Sequence, residues 1–114
     1  MNRAIIWIGY ALFLVSCSKV DREATGIPGL KDAFQDAFLV GVAVNPRITS
    51  GRDSATQSLV LQQFNSITPD NAMKAGPLNP RPGEFNFGPA DDFVDFGEKH
   101  HMFMVGHTLV WHNQ

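Results

Sequence analysis

The chain has 114 residues, enough for one small domain, and its 9 Lys+Arg against 11 Asp+Glu give a formal charge of -2. That near-neutral balance, with no clustered basic stripe, argues against a nucleic-acid partner. No GxxxxGK phosphate loop, no GxGxxG after a strand and no CxxC pair occurs, which sets aside the nucleotide, redox and structural-zinc classes.

The N-terminus reads as an export signal. Arg3 supplies a positive start, and Ala4 to Val15 is an uncharged run of twelve residues. That is the length of a secretory apolar segment, short of the roughly 20 residues a membrane-spanning helix needs. The run ends in Leu14-Val15-Ser16-Cys17, which resembles a bacterial lipobox. Residues 1–16 are therefore expected to be a lipoprotein signal peptide, with Cys17 acylated after cleavage; several acyl chains anchor stably where one is marginal. An ordinary signal peptide with an incidental cysteine is the plainer alternative. Cys17 is the single cysteine of the chain, so no internal disulfide competes for it. Residues 17–26, polar and mixed in charge, read as a flexible tether. The expected location is the bacterial cell surface or periplasm, membrane-anchored.

From residue 27 the elements follow in order. Leu30, Ala33, Phe34, Ala37 and Phe38 fall on one face of a helix. Leu39 to Val44 is continuously apolar and suits a strand buried on both faces of a parallel sheet. Ser54-x-x-Gln57 has the form of a capping box opening a helix to about Phe64. Asn65 to Thr68 is a short strand stopped by Pro69, and Pro77 to Gly83 is turn-rich. Gly88-Pro89 starts another helix, with Asp91 and Asp92 in its first turn, Lys99, His100 and His101 in its last, and Ala90, Phe93, Val94 and Gly97 as its buried face. A third strand is expected from Met102 to about Trp111. The alternation of strands and helices, with connections long enough for crossovers, places the chain in the α/β class. Pattern alone leaves open whether the sheet is open or closed.

In either architecture ligands bind beyond the carboxyl ends of the strands. Three segments fall there: Asn45-Pro46-Arg47, Pro69 to Lys74, and Thr108 to Gln114. Asn71, Lys74 and Gln114 offer hydrogen bonds suited to a polyhydroxyl ligand, and Trp111 offers a flat apolar face for a sugar ring. Strand alternation puts His107, Leu109 and Trp111 on one face, with His112 opposite. Each has a plainer role: Trp111 and His107 as core residues, Asp70 and Lys74 as a solvated i,i+4 helix pair. Nothing in these residues calls for a metal or another cofactor.

Taken together, these segments resemble glycoside hydrolase family 10, mainly endo-1,4-β-xylanases. The resemblance is carried by Phe38-Leu39-Val40-Gly41-Val42-Ala43-Val44, by Phe64-Asn65-Ser66-Ile67-Thr68-Pro69-Asp70-Asn71-Ala72-Met73-Lys74, by Pro82-Gly83-Glu84-Phe85-Asn86-Phe87, and by Gly106-His107-Thr108-Leu109-Val110-Trp111-His112-Asn113-Gln114. It implies a (β/α)8 TIM barrel of which residues 27–114 form the N-terminal part, about three β/α units. It also implies a xylan-binding cleft partly lined by Asn71, Lys74, His107, Trp111 and Gln114. Asp70 stands where the family usually has glutamate, and its carboxylate is one methylene shorter; Ala75 stands where an aromatic often follows the lysine. The resemblance further implies a retaining mechanism whose two glutamates sit on later strands. Glu23, Glu84 and Glu98 are not in those positions, so residues 17–114 alone are expected to be inactive. The alternative is a non-catalytic surface lipoprotein that binds xylo-oligosaccharides.

Overall fold

The structure, a computed structural model, describes residues 27–112. The signal peptide over 1–16, the acylated Cys17, the tether over 17–26 and the site residue Gln114 lie outside the described residues or extend beyond them.

Three parallel strands form one sheet in the order β1 (Gly41–Val44), β2 (Ser66–Pro69), β3 (Phe103–Met104). A short helix α1 (Leu30–Ala33) precedes β1. Helices α2 (Pro46–Thr49) and α3 (Ser54–Gln63) connect β1 to β2, and α4 (Ala75–Leu78) and α5 (Gly88–Lys99) connect β2 to β3. Gly41 lies opposite Ser66 and Ala43 opposite Thr68, while Ser66 lies opposite Phe103.

The register sorts the side chains by face. Val44 and Ile67 join Ile48, Val60, Phe93, Phe96 and Met102 in one buried cluster, so the core lies between the sheet and the layer formed by α2, α3 and α5. Phe96 belongs to that core, although the apolar spacing of α5 pointed to Val94, which is only half-buried. The other sheet face carries Gly41 and Ala43, both exposed, then Thr68, and Phe103 at 57% exposure. Within this segment Leu39–Val44 is therefore covered on one face only. Small side chains line that face on β1 and β2, and among the described residues no helix packs on it.

Two expected elements are shorter than their patterns. The N-terminal helix ends after one turn, with Phe34 as C-cap. Its apolar positions Leu30, Ala33, Phe34, Ala37 and Phe38 are all exposed, and helix stability comes mostly from packing an apolar face. What holds α1 is the end of α3: Leu30 N–H donates to Gln63 Oε1 at 3.0 Å and Lys31 Nζ to the Leu61 carbonyl at 2.6 Å. β3 spans two residues rather than Met102 to Trp111. Its ladder gains one more bond, Val105 N–H to the Ile67 carbonyl at 2.9 Å, and then stops. The next position on β2 is Pro69, which has no N–H to offer.

The helix ends show what capped them. The N-cap of α3 is Asp53, not Ser54; its carboxylate accepts the Thr56 N–H at 3.1 Å. That hydrogen bond holds the Asp53 pKa below its ordinary value. Gln57 does not close a box but donates to the Ile48 carbonyl at 2.7 Å, tying α3 to α2. At the end of α5, Met102 N–H reaches the Gly97 carbonyl at 2.9 Å and His101 N–H the Glu98 carbonyl at 3.1 Å, with His101 left-handed at φ 54°. This is a Schellman stop with a histidine where glycine is unstrained. His101→Gly should therefore raise stability by about 1 kcal/mol, read as a higher midpoint in urea for the full-length protein, because the left-handed cost of a Cβ disappears. The neighbouring His100 packs against Phe96, ring centroids 4.7 Å apart. Burial, then the charges of Lys99 and His101, lower its pKa, which favours the neutral imidazole over the dipole-complementing cation expected at this helix end.

Candidate functional site

Because the strands are parallel, their carboxyl ends share one edge of the sheet, and the three ligand-side segments leave from it. The first is structural. Asn45 spends its side-chain oxygen as the N-cap of α2, accepting Arg47 N–H at 3.0 Å and Ile48 N–H at 3.3 Å. The Asp70 N–H donates to the Val44 carbonyl at 2.9 Å and so fixes the start of the second segment against the end of β1.

That second segment is a turn. Lys74 N–H closes it on the Asn71 carbonyl at 3.0 Å, and α4 begins only at Ala75. The plainer alternative, an i,i+4 helix pair of Asp70 and Lys74, does not form: the Lys74 ammonium donates to Asn71 Oδ1 at 2.8 Å, and the Asp70 side chain is exposed. An i,i+3 spacing in a turn brings these groups together as readily as i,i+4 does in a helix.

The third segment approaches the second through Trp111. Lys74 Nζ lies over the indole, 4.5 Å from the ring centroid, and His112 meets the same ring edge-on at 5.3 Å. Asn71, Lys74 and Trp111, read separately from the sequence, are thus one cluster. His107 sits apart from it. It lines the open sheet face with Gly41, Ala43, Thr68 and Val105, and also a cavity of about 420 Å³ with Met73, Leu78, Phe87 and Leu109. The strand alternation used to group His107 with Trp111 does not operate, since β3 ends at Met104. Leu109, placed by that alternation on the same face, is 98% exposed. Gly106 faces Met73 at ordinary contact distance, so the space beside it is not demanded by a neighbouring backbone.

Chemically the edge presents hydrogen-bond donors and one aromatic plate, with the exposed Asp70 carboxylate alongside. Among the described residues no group of three or more His, Cys, Asp or Glu gathers to hold a metal ion. Glu84 is paired on the surface with Arg81 at 3.4 Å, within the turn before α5, and Glu98 lies exposed on α5 itself.

A parallel α/β sheet with polar and aromatic residues gathered at its carboxyl edge has the ligand-site arrangement of the α/β class. The chain belongs to glycosyl hydrolase family 10, whose family model matches residues 29–114. It is 48% identical over 87 residues to an endo-1,4-beta-xylanase/feruloyl esterase of Xylanibacter ruminicola, covering 76% of this chain and 12% of that one. The structure superposes on the crystal structure of an intracellular xylanase from Thermoanaerobacterium saccharolyticum with a TM-score of 0.71 and 44% identity, covering 78% of this chain and 27% of the other. It superposes on xylanase 10B from Thermotoga petrophila, solved in complex with xylobiose, with a TM-score of 0.69 and 33% identity, covering 75% and 27%. The chain therefore spans between 12% and 27% of the length of these relatives. Its three-stranded parallel sheet is part of the (β/α)8 barrel of the family.

Proposed function

We propose that the protein carrying this segment is an endo-1,4-β-xylanase that hydrolyses internal β-1,4 xylosidic bonds, and that the segment supplies one wall of its xylan-binding cleft. The observation that carries this reading is the joining of Asn71, Lys74 and Trp111 at the carboxyl edge of the sheet. Hydroxyl-binding donors next to an aromatic plate are what a pyranose ring requires. Family membership and the xylanase names of the relatives support the same substrate. On this reading His107 and Gln114 contribute further hydrogen bonds nearer the scissile bond.

The chemistry itself would come from two carboxylates about 5–5.5 Å apart, acting as acid/base and nucleophile with retention at the anomeric carbon. The family resemblance implies that these glutamates stand on strands beyond β3; Glu84 is paired with Arg81 in a surface turn and Glu98 lies exposed on α5. The full-length protein should release xylo-oligosaccharides from xylan, and proton NMR of the first products should show the β-anomer before mutarotation. Tight binding of xylo-oligosaccharides with no cleavage by the full-length protein would instead favour a non-catalytic binding lipoprotein.

The same reading includes export and a lipid anchor on Cys17, supported by the lipobox-like run Leu14-Val15-Ser16-Cys17. Metabolic labelling with a fatty-acid analogue should mark the wild type and not Cys17→Ala. Equal labelling of both would remove the anchor from the proposal.

A further inference from the structure

We propose that the amino edge of the sheet is the membrane-facing end of the protein, so that the lipid anchor and the carbohydrate site lie at opposite ends of the barrel and the cleft opens away from the bilayer. The inference rests on the acylation of Cys17 proposed above, and adds to it which surface meets the lipid.

The chain is seated at one end of the sheet by its contacts with the end of α3. Leu30 N–H donates to Gln63 Oε1 at 3.0 Å and Lys31 Nζ to the Leu61 carbonyl at 2.6 Å. Gly29 lies so close to the Gln62 carbonyl that a Cβ at this position would collide with it. α3 ends at Gln63 and β2 begins at Ser66, which fixes this end of the helix at the amino edge. The start of β1 is tied to the same edge. Val40 N–H donates to Asn65 Oδ1 at 2.7 Å, and the Asn65 and Ser66 N–H groups donate to the Val40 carbonyl at 3.1 and 3.2 Å. The chain therefore joins the fold at the amino edge, whereas Asn71, Lys74 and Trp111 follow β2 and β3 and stand at the carboxyl edge.

Length turns this polarity into an orientation. The stretch from Cys17 to Gly29, at about 3.3–3.6 Å per residue, reaches at most about 43 Å. A complete barrel of about 250 residues has a radius of gyration of about 18 Å, and so a diameter of roughly 45 Å. With the amino edge toward the bilayer, the stretch need span only a small gap. With the carboxyl edge toward it, the stretch must be drawn out along the whole height of the barrel, at the cost of the conformational freedom of every residue in it. The cleft is thereby kept on the far side, where a long polysaccharide chain meets it without having to pass between barrel and lipid.

The test uses α5 as its ruler. That helix runs from the carboxyl edge to the amino edge, and its 12 residues span about 18 Å. Arg81 lies before its start and Glu98 near its end, both exposed. A donor fluorophore is attached to the full-length, acylated protein through Arg81→Cys or Glu98→Cys. The protein is then reconstituted into phosphatidylethanolamine–phosphatidylglycerol vesicles carrying an acceptor-labelled lipid. Energy transfer from Glu98→Cys should exceed that from Arg81→Cys by roughly twofold or more, because the two positions differ by about 18 Å in height. Inserting about 30 Gly/Ser residues after Gly26 should bring the two efficiencies together, since the limit on reach is then relieved. Lys99→Cys replaces Glu98→Cys if that variant fails to fold. Equal or reversed transfer in protein that floats with the vesicles would overturn the orientation and leave the anchor standing. Protein that does not float with the vesicles would remove the anchor, and the orientation with it.

Discussion

Trp111→Ala and His107→Ala, each made in the full-length protein, should lower kcat/KM on xylan by about 1–4 kcal/mol, the range for a contact that tightens in the transition state. The two effects should come from different places. Trp111 sits in the cluster with Lys74, whereas His107 lines the open sheet face and the neighbouring cavity. The double variant should therefore lose close to the sum of the two, as residues without shared partners do. His100→Ala is the control: that ring packs on Phe96 in the helical layer, away from the carboxyl edge, and its loss should leave kcat/KM unchanged. Steady-state kinetics on soluble xylan measures all four proteins. Equal small effects at His107, Trp111 and His100 would assign all three to packing.

The second large effect is expected on folding. Residues 17–114 expressed alone should give no sharp thermal transition and should aggregate or remain loosely packed. The sheet has one covered face and one open one, and β1 and β3 are both edge strands among the described residues. Apolar side chains stand in solvent along the β3 side, with Val105 47%, Leu109 98% and Val110 84% exposed. Unpaired edges next to such side chains are templates for pairing with other chains. The buried cluster of seven side chains offers little to offset the conformational entropy of ordering the chain, and chains of this size are already marginal. Sedimentation velocity and amide-proton NMR decide the matter. A monodisperse species with dispersed amide signals and a cooperative melt would show that the segment folds on its own.

Much of the barrel portion was legible before the structure. The start of α5 at Gly88-Pro89, the extent of α3 and the core of β1 and β2 follow from proline placement and apolar runs, which are local signals. Where the reading erred, a competing neighbour decided, near in the chain at one helix cap and distant at the strand. Asp53 rather than Ser54 capped α3, because the preceding residue already stood at the cap with a carboxylate. The first helix stopped after one turn, and among the described residues no neighbour covers its apolar face. β3 stopped because the next N–H its ladder would need from β2 falls at Pro69, which has none.

The site divides in the same way. Sequence by itself determined which residue types stand at the carboxyl edge: Asn71, Lys74, His107 and Trp111 are encoded next to strand ends, and connectivity in a parallel sheet sends them to one side. Only the tertiary structure decided which of them meet. Asn71 and Lys74 pair through a turn, and Lys74 reaches Trp111 across two loops more than thirty residues apart in the chain, while His107 turns to the open face. The physical reason is that strand alternation governs side-chain direction only where a ladder holds the backbone. Beyond Val105 that ladder is gone, and among the described residues Trp111 meets Lys74 and His112 instead of a strand partner.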